Sequence, residues 1–499
     1  MSLKSFLAKQ FAKSIYKKTK SWADNPVETQ QKVFEDIIRQ AKNTQFGIDH
    51  HFDSINTFHD FSKKVPIRDY EALKPYVDRV VQGEENVLWK GKPLYFAKTS
   101  GTTSGAKYIP LTKESMPFHI EAARNAILHY IHETGNADFV NGKMIFLQGS
   151  PILEEKNGIQ LGRLSGIVAH FVPKYLQKNR MPTFETNCIE DWETKVEAIV
   201  EETFNEDMTV ISGIPSWVQM YFEKLQQKAR KPVGELFKNF NLFIYGGVNY
   251  EPYRAKFEQL IGRKVDSIEL FPASEGFFAV QDSLDADGLL LMLDHGIFYE
   301  FIPVADFNGS ESRAIPLAEV ELGVSYAVIL NTNGGLWRTI VGDTVEFTSV
   351  APYRIRITGR TRLFINAFGE ELMIDNAERA IAEACRKTGA LVDEYTAAPW
   401  WAPAGEAGGG HDWLVEFQTP PYSLEAFGQA LDTALKATNS DYEAKRYKDM
   451  VLNPPRIHAA PTGTFHNWLK SKGKLGGQNK VPRLMNDRSL IDELLGANL

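Results

Sequence analysis

Residues 242–276 read LFIYGGVNYEPYRAKFEQLIGRKVDSIELFPASEG, and this stretch decides the fold class. The apolar run 242–245 predicts a strand that ends at the glycine pair Gly246-Gly247. Pro252 suits the first turn of a helix, whose apolar residues recur at helical spacing. A second apolar run then predicts another strand. Strand, glycine-rich turn, helix and strand in this order predict an α/β fold with a mainly parallel sheet.

The same rhythm continues on both sides of this stretch. Residues 144–147 and 209–211 predict two further strands, whereas residues 1–90 have a largely helical pattern. Residues 289–358 are strand-rich, and the turn 294–296 is expected to close a hairpin between the apolar runs on either side of it. The fold class that we predict is therefore a large N-terminal α/β domain with mixed sheets, followed by a small C-terminal α+β domain.

A polar turn at residues 359–362 marks the predicted domain boundary, because a new helical pattern begins after it. We therefore expect residues 1–358 to form the N-terminal domain and residues 363–499 to form the C-terminal domain. The turn between them is a candidate hinge.

The composition is that of an ordinary globular protein. The chain has 499 residues, of which 43% are hydrophobic and 24% are charged. Its formal net charge of -7 argues against a nucleic-acid-binding protein that works by bulk electrostatics.

Cys188 and Cys385 have no metal-ligand spacing, which favours a reducing, cytoplasmic location. No apolar run approaches the roughly 18 residues of a transmembrane helix, so we expect no stable membrane insertion.

The N-terminal segment has the pattern of an amphipathic helix. Leu3, Phe6, Leu7, Phe11 and Ile15 fall on one helical face. Four lysines surround that face: Lys4, Lys9, Lys13 and Lys17. The pattern favours a helix docked on the protein, and the alternative is an anchor on a membrane surface.

A run of threonine, serine and glycine that ends in lysine is the strongest local signal for chemistry. It lies within residues 95–112, which read YFAKTSGTTSGAKYIPLT. Glycines allow a polyphosphate to approach the backbone, hydroxyl groups add donors, and a lysine adds positive charge. The run is not a P-loop, because Ala106 precedes Lys107 and Tyr108 follows it. The candidate phosphate-binding residues are Ser100, Gly101, Thr102, Thr103, Ser104 and Lys107; the alternative is a flexible surface loop.

A second candidate segment, residues 270–276, follows the last predicted strand of the opening stretch. Ligands of open α/β sheets bind at the carboxyl ends of strands. Glu275 can hold Mg²⁺, which prefers carboxylate oxygen. Ser274 can donate to a phosphate, and Phe271 can stack on a base. The alternative for Glu275 is an ordinary carboxylate in a turn.

Two further segments are weaker candidates. Asp343, in the segment VGDTVEF at residues 341–347, can accept both hydroxyls of a ribose, although aspartate is common in turns. Arg360 lies in the polar turn at 359–362, which can act as a hinge. Each of these segments alone equally suits an ordinary turn.

The order and spacing of these four segments resemble the adenylate-forming superfamily, which includes luciferase-type enzymes and acyl-CoA ligases. The resemblance implies that the loop 100–107 and Glu275 bind ATP and Mg²⁺. It also implies that Gly246-Gly247 lies against the adenine and that Asp343 binds the nucleotide. Arg360 joins the nucleotide-binding candidates through its place in the hinge.

Within that superfamily the chain resembles the acyl acid amido synthetases first known as plant auxin-responsive proteins. The C-terminal elements PTGTF at 461–465 and QNKVPR at 478–483 carry this resemblance, with Asn479 where the family usually has tyrosine. The usual ending of the superfamily, a Gly-Lys that follows a Pro-Lys/Arg-Thr run, is missing, which puts coenzyme A ligation in doubt. Lys480 is the candidate cation for the α-phosphate, and Lys474 is the second choice.

The resemblance implies an ATP-dependent ligase that adenylates a small carboxylic acid and transfers the acyl group to an amine, which is expected to be an amino acid. A mobile C-terminal domain is implied as well. One alternative is thioester formation with coenzyme A. Another is a non-catalytic relative that binds a nucleotide. The sequence leaves the acid, the amine and the oligomeric state open.

Overall fold

The computed structural model describes most of the chain. The described residues are 2–99, 107–171, 178–247, 250–361, 364–365, 367–368, 370, 372–401, 409–446, 452–474, 480–485 and 487–496. The chain divides into two compact units. The large unit comprises Met1–Val248, Phe257–Val341 and Val345–Arg356, and the small unit comprises Asn249–Lys256, Gly342–Thr344 and Ile357–Leu499. The domain limits 1–358 and 363–499, the hinge and its mobility stay predictions.

The large unit begins with five helices, as the sequence pattern predicts. They are α1 (Leu3–Ala23), α2 (Pro26–Ala41), α3 (Gln45–Asp49), α4 (Phe58–Lys64) and α5 (Tyr70–Val81). Side chains cap several of them: Thr57 and Asp60 form a capping box on α4, and Asp69 caps α5. Such caps satisfy backbone N–H groups that the first helical turn leaves without partners.

Helix α1 docks through a different face from the one that its apolar pattern suggests. Leu3, Phe6, Leu7 and Phe11 are exposed, and Ile15 is the only member of the predicted face that is buried. The buried residues are Ser5, Ala12, Ile15, Thr19, Trp22 and Ala23. The helix is therefore docked, but its apolar face is not the face that packs on the protein. Small side chains on the buried face let α1 lie close to its neighbours, and Ser2 and Ser5 bond to Asn141.

A mixed sheet of twelve strands forms the centre of the fold. Its order is β13-β12-β14-β15-β16-β11-β10-β9-β8-β7-β3-β6. The strands are β3 (Lys143–Phe146), β6 (Arg180–Met181), β7 (Met208–Ser212), β8 (Leu242–Gly246), β9 (Asp266–Ala273), β10 (Gly276–Val280), β11 (Leu289–Leu291), β12 (Ile297–Pro303), β13 (Ile315–Pro316), β14 (Ser325–Thr332), β15 (Thr339–Val350) and β16 (Tyr353–Arg360). The strands predicted at 144–147, 209–211, 242–245 and 267–271 are all present.

The hairpin predicted around residues 294–296 is wrong. Strand β11 pairs with β10 and β16, whereas β12 pairs with β13 and β14. The turn has a glycine with positive φ, Gly296 at +71°, as a hairpin turn often does. The chain instead crosses to another part of the sheet, because partner choice depends on long-range packing rather than on the turn alone.

Seven helices and a second sheet complete the description of this part of the chain. The helices are α6 (Met116–Thr134), α7 (Leu164–Ala169), α8 (Phe184–Asn187), α9 (Trp192–Thr203), α10 (Pro215–Ala229), α11 (Val233–Leu236) and α12 (Glu251–Ile261). Short 3-10 helices span Phe52–Ser54, Asp138–Asn141, Val304–Asp306, Gly309–Glu311 and Leu317–Glu319. The second sheet has the order β2-β1-β5-β4, with β1 (Tyr95–Thr99), β2 (Lys107–Leu111), β4 (Glu154–Lys156) and β5 (Ile159–Gly162).

The small unit is an α+β structure with its own apolar core. Its strands are β17 (Phe364–Ile365), β18 (Leu372–Met373), β19 (Leu391–Trp401), β20 (Gly409–Thr419) and β21 (Arg456–Ala460). Its helices are α13 (Ile374–Thr388), α14 (Leu424–Thr438), α15 (Ser440–Lys445), α16 (Thr464–Ser471) and α17 (Ser489–Gly496). Helices α13 and α14 pack with the sheet β19-β20-β21 around buried side chains such as Tyr395, Trp413 and Leu431.

Candidate active site

Four parallel strands of the central sheet, β3, β7, β8 and β9, end at the same edge. Phe146 lies beside Ser212, which lies beside Ile244, and Gly246 lies beside Leu270. The segments that follow these four strands therefore meet along one edge. This is the edge where open α/β sheets bind their ligands.

The glycine pair at the end of β8 is required by the geometry of this edge. A Cβ atom on Gly246 would lie 2.4 Å from the backbone oxygen of Leu270, which cannot move aside. Gly247 has a φ of +81°, a conformation that favours glycine. The pair thus keeps the backbone open at the end of β8. Contact of Gly246 and Gly247 with an adenine stays a prediction.

Ser274 and Glu275 form the tight turn between β9 and β10. The flanking residues Ala273 and Gly276 pair with each other, so the two residues of the turn stand directly at the carboxyl end of β9. Ser274 is buried and Glu275 is half-buried. The sequence predicted both residues to follow a strand, and they do. Because the Glu275 carboxylate is only half-buried, it can contact a ligand that binds at this edge of the sheet.

Phe271 lies inside β9 and belongs to the core. It is 7% exposed, and its ring packs edge-on against Phe278 with 5.1 Å between centroids. Packing alone explains an aromatic residue at this position. Stacking of Phe271 on a base stays a prediction.

Lys107 begins β2, on the second sheet. It pairs with Thr99 of β1, and its ammonium lies 5.4 Å from the ring centroid of Tyr70. The Tyr70 hydroxyl accepts a hydrogen bond of 2.8 Å from the backbone N–H of Tyr108, and burial raises the pKa of Tyr70 to about 12. The neutral phenol of Tyr70 therefore fixes the start of β2 through its hydrogen bond with Tyr108. The loop candidates Ser100, Gly101, Thr102, Thr103 and Ser104 lie outside the described residues.

Asp343 and Arg360 lie on neighbouring strands, β15 and β16. Asp343 is half-buried inside β15, not at a turn as the sequence suggests, and Gly342 before it has a φ of +93°. The glycine explains how the strand continues through a segment with a turn-like composition. Arg360 is the last residue of β16, and its side chain is outside the described part of the structure.

The predicted residues therefore fall into separate groups. Gly246, Gly247, Ser274 and Glu275 share one edge of parallel strands. Lys107 starts a strand of the second sheet, and Asp343 lies in a strand that β16, β11 and β10 separate from β9 in the sheet order.

Lys480 is exposed and begins a segment that runs beside β19 in the small unit. The backbone N–H of Ala397 donates to the Arg483 carbonyl at 2.8 Å, and the N–H of Met485 donates to the Ala397 carbonyl at 3.0 Å. The Thr396 hydroxyl donates to the Pro482 carbonyl at 2.7 Å. The conformation of residues 480–485 is thus set by hydrogen bonds to β19 and not by a helix or turn within the segment.

Arg483 fixes this segment through two carboxylates, the buried one of Glu378 and the partly exposed one of Glu394. Its Nη1 lies 2.7 Å from Glu378 Oε1, and its Nε lies 2.8 Å from Glu394 Oε1. Burial by itself lowers the pKa of Arg483, but the carboxylates of Glu394 and Glu378 outweigh it and the net pKa is raised. The guanidinium therefore stays charged and holds the segment three residues from Lys480. Sequence reasoning treated Arg483 only as part of a motif.

Sequence reasoning missed Lys195, a buried lysine on α9. Its ammonium donates to the carbonyls of Gln148 at 2.9 Å and Asn187 at 2.7 Å. Burial lowers the pKa of Lys195 to about 8. Gln148 follows β3, so Lys195 braces the same edge of the central sheet. The flanking sequence reads as ordinary amphipathic helix and carries no signal for this role.

Three family models match the chain and cover most of its length. They are the GH3 family N-terminal domain over residues 15–184, the GH3 family central domain over 290–360 and the GH3 family C-terminal domain over 375–489. The elements at 461–465 and 478–483 lie within the last of these matches.

Named relatives are similar at modest identity. A jasmonoyl–L-amino acid synthetase of Nicotiana attenuata, JAR4, is 24% identical over 64% of this chain and 65% of its own length. A second one from the same species, JAR6, is 22% identical over 94% of this chain and 93% of its own length. The indole-3-acetic acid-amido synthetase GH3.3 of Arabidopsis thaliana is 26% identical over 40% of this chain and 35% of its own length. The alignments to JAR4 and GH3.3 thus span less than two thirds of those relatives.

Solved structures confirm the predicted fold class. GH3.15 acyl acid amido synthetase matches with a TM-score of 0.78 at 17% identity, over 96% of this chain and 95% of its own. A 2-hydroxyisobutyryl-CoA ligase in the postadenylation state matches with a TM-score of 0.61 at 12% identity, over 94% and 91%. At these identities the likeness shows the fold: a large α/β part with mixed sheets and a smaller C-terminal part.

Proposed function

This chain belongs to the GH3 family, and on that premise we propose that it is an ATP-dependent acid–amino acid ligase. It activates a small carboxylic acid as the acyl-adenylate and then joins the acyl group to an amine, for which an amino acid is the expected acceptor. One observation supports the proposal above the others. Gly246-Gly247 and Ser274-Glu275 follow neighbouring parallel strands, at the ligand-binding edge of a fold like that of GH3.15 acyl acid amido synthetase.

In the first half-reaction a carboxylate oxygen of the acid attacks the α-phosphorus of ATP. The bond from the α-phosphorus to the oxygen that bridges it to the β-phosphorus breaks, and pyrophosphate leaves. Both reactants are anions, so the protein must supply positive charge and donors. We assign this role to Lys107, to the loop 100–104 and to Lys480, while Asp343 accepts hydrogen bonds from the ribose hydroxyls.

The carboxylate of Glu275 fits a magnesium ion that accompanies ATP. Mg²⁺ is usually bound through one or two protein carboxylates together with substrate phosphates and water, so a single half-buried carboxylate suffices. When bound, the ion neutralises phosphate charge. We assign to Ser274, beside Glu275 in the same turn, the role of donating its hydroxyl to a phosphate oxygen.

In the second half-reaction the lone pair of a neutral amine attacks the acyl carbon of the adenylate. The bond from that carbon to the phosphate oxygen breaks, AMP leaves, and the ammonium formed gives up a proton. Arg483 acts here and in the first step as a positioning residue, because its ion pairs with Glu378 and Glu394 hold the segment that carries Lys480.

The location of the protein is a separate proposal. Cys188 and Cys385 are free thiols, as suits a protein of the reducing cytoplasm. Among the helices that the structure describes, none combines the length and the apolar character that a membrane span requires.

A pyrophosphate-release screen of carboxylic acids crossed with amino acids tests the proposed function. We expect release that depends on one class of acid, and mass spectrometry should find the amide and AMP as products. Release of pyrophosphate with coenzyme A and formation of a thioester, in place of an amide, would support an acyl-CoA ligase instead. A folded protein that releases no pyrophosphate with any acid would support a non-catalytic relative.

Glu275→Gln is the matched variant for this screen, because it keeps the shape of the side chain and removes its charge. Adenylation should fall by about 100-fold or more, the effect of losing one electrostatic contact to a transition state. Circular dichroism should be unchanged. Wild-type adenylation by folded Glu275→Gln would remove Glu275 from the mechanism.

A further inference from the structure

The outward face of α1 carries four large apolar side chains that the described protein covers only in part; the Arg124 guanidinium lies over the Phe11 ring, 5.3 Å from its centroid. Leu3 is 74% exposed and Leu7 is 56% exposed, and Phe6 and Phe11 beside them are close to half exposed. The opposite face of α1 is buried in the large unit. The exposed residues therefore cannot turn inwards without undocking the helix.

The docked face is held by specific contacts. Thr19 bonds to His129 of α6 at 3.1 Å within the protein interior, and Tyr16 stacks on His132 with 4.0 Å between ring centroids. Trp22 is also buried. Because the helix is already formed and docked, a partner that covers its outward face has no folding entropy to overcome.

Lysines surround this apolar face, and α1 itself carries no acidic residue to offset them. This helix, Leu3–Ala23, contains neither aspartate nor glutamate. It contains six lysines: Lys4, Lys9, Lys13, Lys17, Lys18 and Lys20. Within the described residues, Lys20 alone of these forms an ion pair, with Asp24 at 2.8 Å. The whole chain carries a net charge of -7, so this concentration of positive charge runs against its average.

We propose that α1 binds the surface of an anionic phospholipid bilayer, lying along it with Leu3, Phe6, Leu7 and Phe11 among the headgroups. An interfacial helix of this kind combines bulky apolar residues on one side with lysines beside them. Lysine side chains can lay their methylene stems on the apolar surface and extend their ammonium groups to lipid phosphates. Anionic headgroups attract such juxtaposed cations, whereas apolar area alone would not select for charge.

Charge argues against a second copy of the chain as the occupant. Pairing of two α1 helices through the same face would bring two sets of six lysines together, and like charges at close range are unfavourable. An anionic lipid surface supplies apolar chains for the exposed leucines and phenylalanines and negative charge for the lysines.

Sedimentation of the full chain with vesicles tests the proposal. We expect the protein to sediment with vesicles of phosphatidylserine and phosphatidylcholine in equal parts, to remain in solution with phosphatidylcholine alone, and to be released by salt. Leu7→Ser should weaken the binding by about tenfold. Leu322→Ser is the matched control, because Leu322 is 57% exposed and lies elsewhere in the large unit. Lys13→Gln combined with Lys17→Gln should also weaken binding to the anionic vesicles.

Three results would overturn the proposal: no sedimentation with anionic vesicles, equal sedimentation with both vesicle types, or equal loss in Leu7→Ser and Leu322→Ser. Analytical ultracentrifugation adds a fourth, since a dimer that Leu7→Ser dissociates would assign the face to a second copy. Leu7→Ser should retain acid-dependent pyrophosphate release in solution, so this test is independent of the proposed enzymatic activity.

Discussion

The large and small units bury charge in different places. In the large unit, Arg338 lies against Glu300, with Nε 3.0 Å from both carboxylate oxygens, and it also donates to the carbonyls of Ser62 and Val65. Both partners are almost fully buried. This ion pair links the end of α4 to the central sheet. Neither Arg338 nor Glu300 lies at the carboxyl ends of β3, β7, β8 and β9, where the candidate active site is.

In the small unit, buried charge holds the segment that carries a proposed catalytic residue. Arg483, with Glu378 and Glu394, fixes residues 480–485 beside β19. A second network joins Arg446 to Asp432 of α14. If Lys480 is catalytic as proposed, buried ion pairs serve stability in the large unit and both stability and catalysis in the small unit. Breaking them should therefore have different consequences in the two units.

Glu300→Ala should have the largest effect on stability. It leaves Arg338 buried without its carboxylate, which typically costs about 3–5 kcal/mol. Urea denaturation should show this loss in the free energy of unfolding, whereas kcat of the remaining folded protein should stay close to wild type. The exposed Glu319→Ala is the control and should change stability by about 0.5 kcal/mol or less. A large fall in kcat of the folded Glu300→Ala protein would contradict the proposed contrast between the units.

Lys480→Ala should have the largest effect on catalysis. Loss of a cation that acts in the transition state should lower kcat for adenylation by about 100- to 1000-fold, with nucleotide binding and stability unchanged. Lys474→Ala is the control and should be active. If Lys474→Ala alone is inactive, the choice of lysine is wrong, and if both variants are fully active, the C-terminal motif has no catalytic role.

Glu394→Gln sharpens this prediction, because it weakens the ion pair that holds Arg483 without changing the Lys480 side chain itself. A positioning role requires that kcat falls while the Michaelis constant for ATP stays the same, and that urea denaturation shows a loss of about 1.5–3 kcal/mol, the usual range for a charged hydrogen bond. A purely structural role would lower stability and leave kcat of the folded enzyme unchanged.

Asp343→Ala should act on nucleotide binding and not on either buried network. Loss of hydrogen bonds to two ribose hydroxyls should raise the Michaelis constant for ATP by the equivalent of about 1–3 kcal/mol, with a smaller change for the acid. Steady-state kinetics with each substrate varied in turn measures this. An unchanged constant for ATP would exclude Asp343 from the ribose site.

The smallest expected effect is the pH dependence of the small unit. Burial raises the pKa of Asp432, but hydrogen bonds from Arg446, Lys436 and Tyr442 outweigh it, so the net pKa lies below the ordinary 3.8. A carboxyl with a lowered pKa in the folded state stabilises that state above pH 3.8, and this contribution is lost as the pH falls through the lowered value. Urea midpoints should therefore fall more steeply in acid for the wild type than for Asp432→Asn. Equal slopes would show that the network adds no pH-dependent stability.

The sequence alone determined the elements whose signals are local. The apolar runs at 144–147, 209–211, 242–245 and 267–271 are strands because bulky apolar residues in short runs suit a buried parallel sheet. Gly246-Gly247 and Ser274-Glu275 could be placed at strand ends for the same reason. The elements at 461–465 and 478–483 indicated the family, because motifs of this kind are contiguous in sequence.

Tertiary structure alone decided the choices between partners far apart in the chain. Helical periodicity showed that α1 has an apolar face, but the surface of α6 selected the face with Ser5 and Ala12, because burial depends on the fit of both surfaces. Strand β12 pairs with β14 and not with β11, because a turn does not fix a register that distant strands can satisfy. Arg483 finds Glu378 and Glu394 about a hundred residues away, and no local pattern encodes a contact that exists only once α13, β19 and the C-terminal segment have packed together.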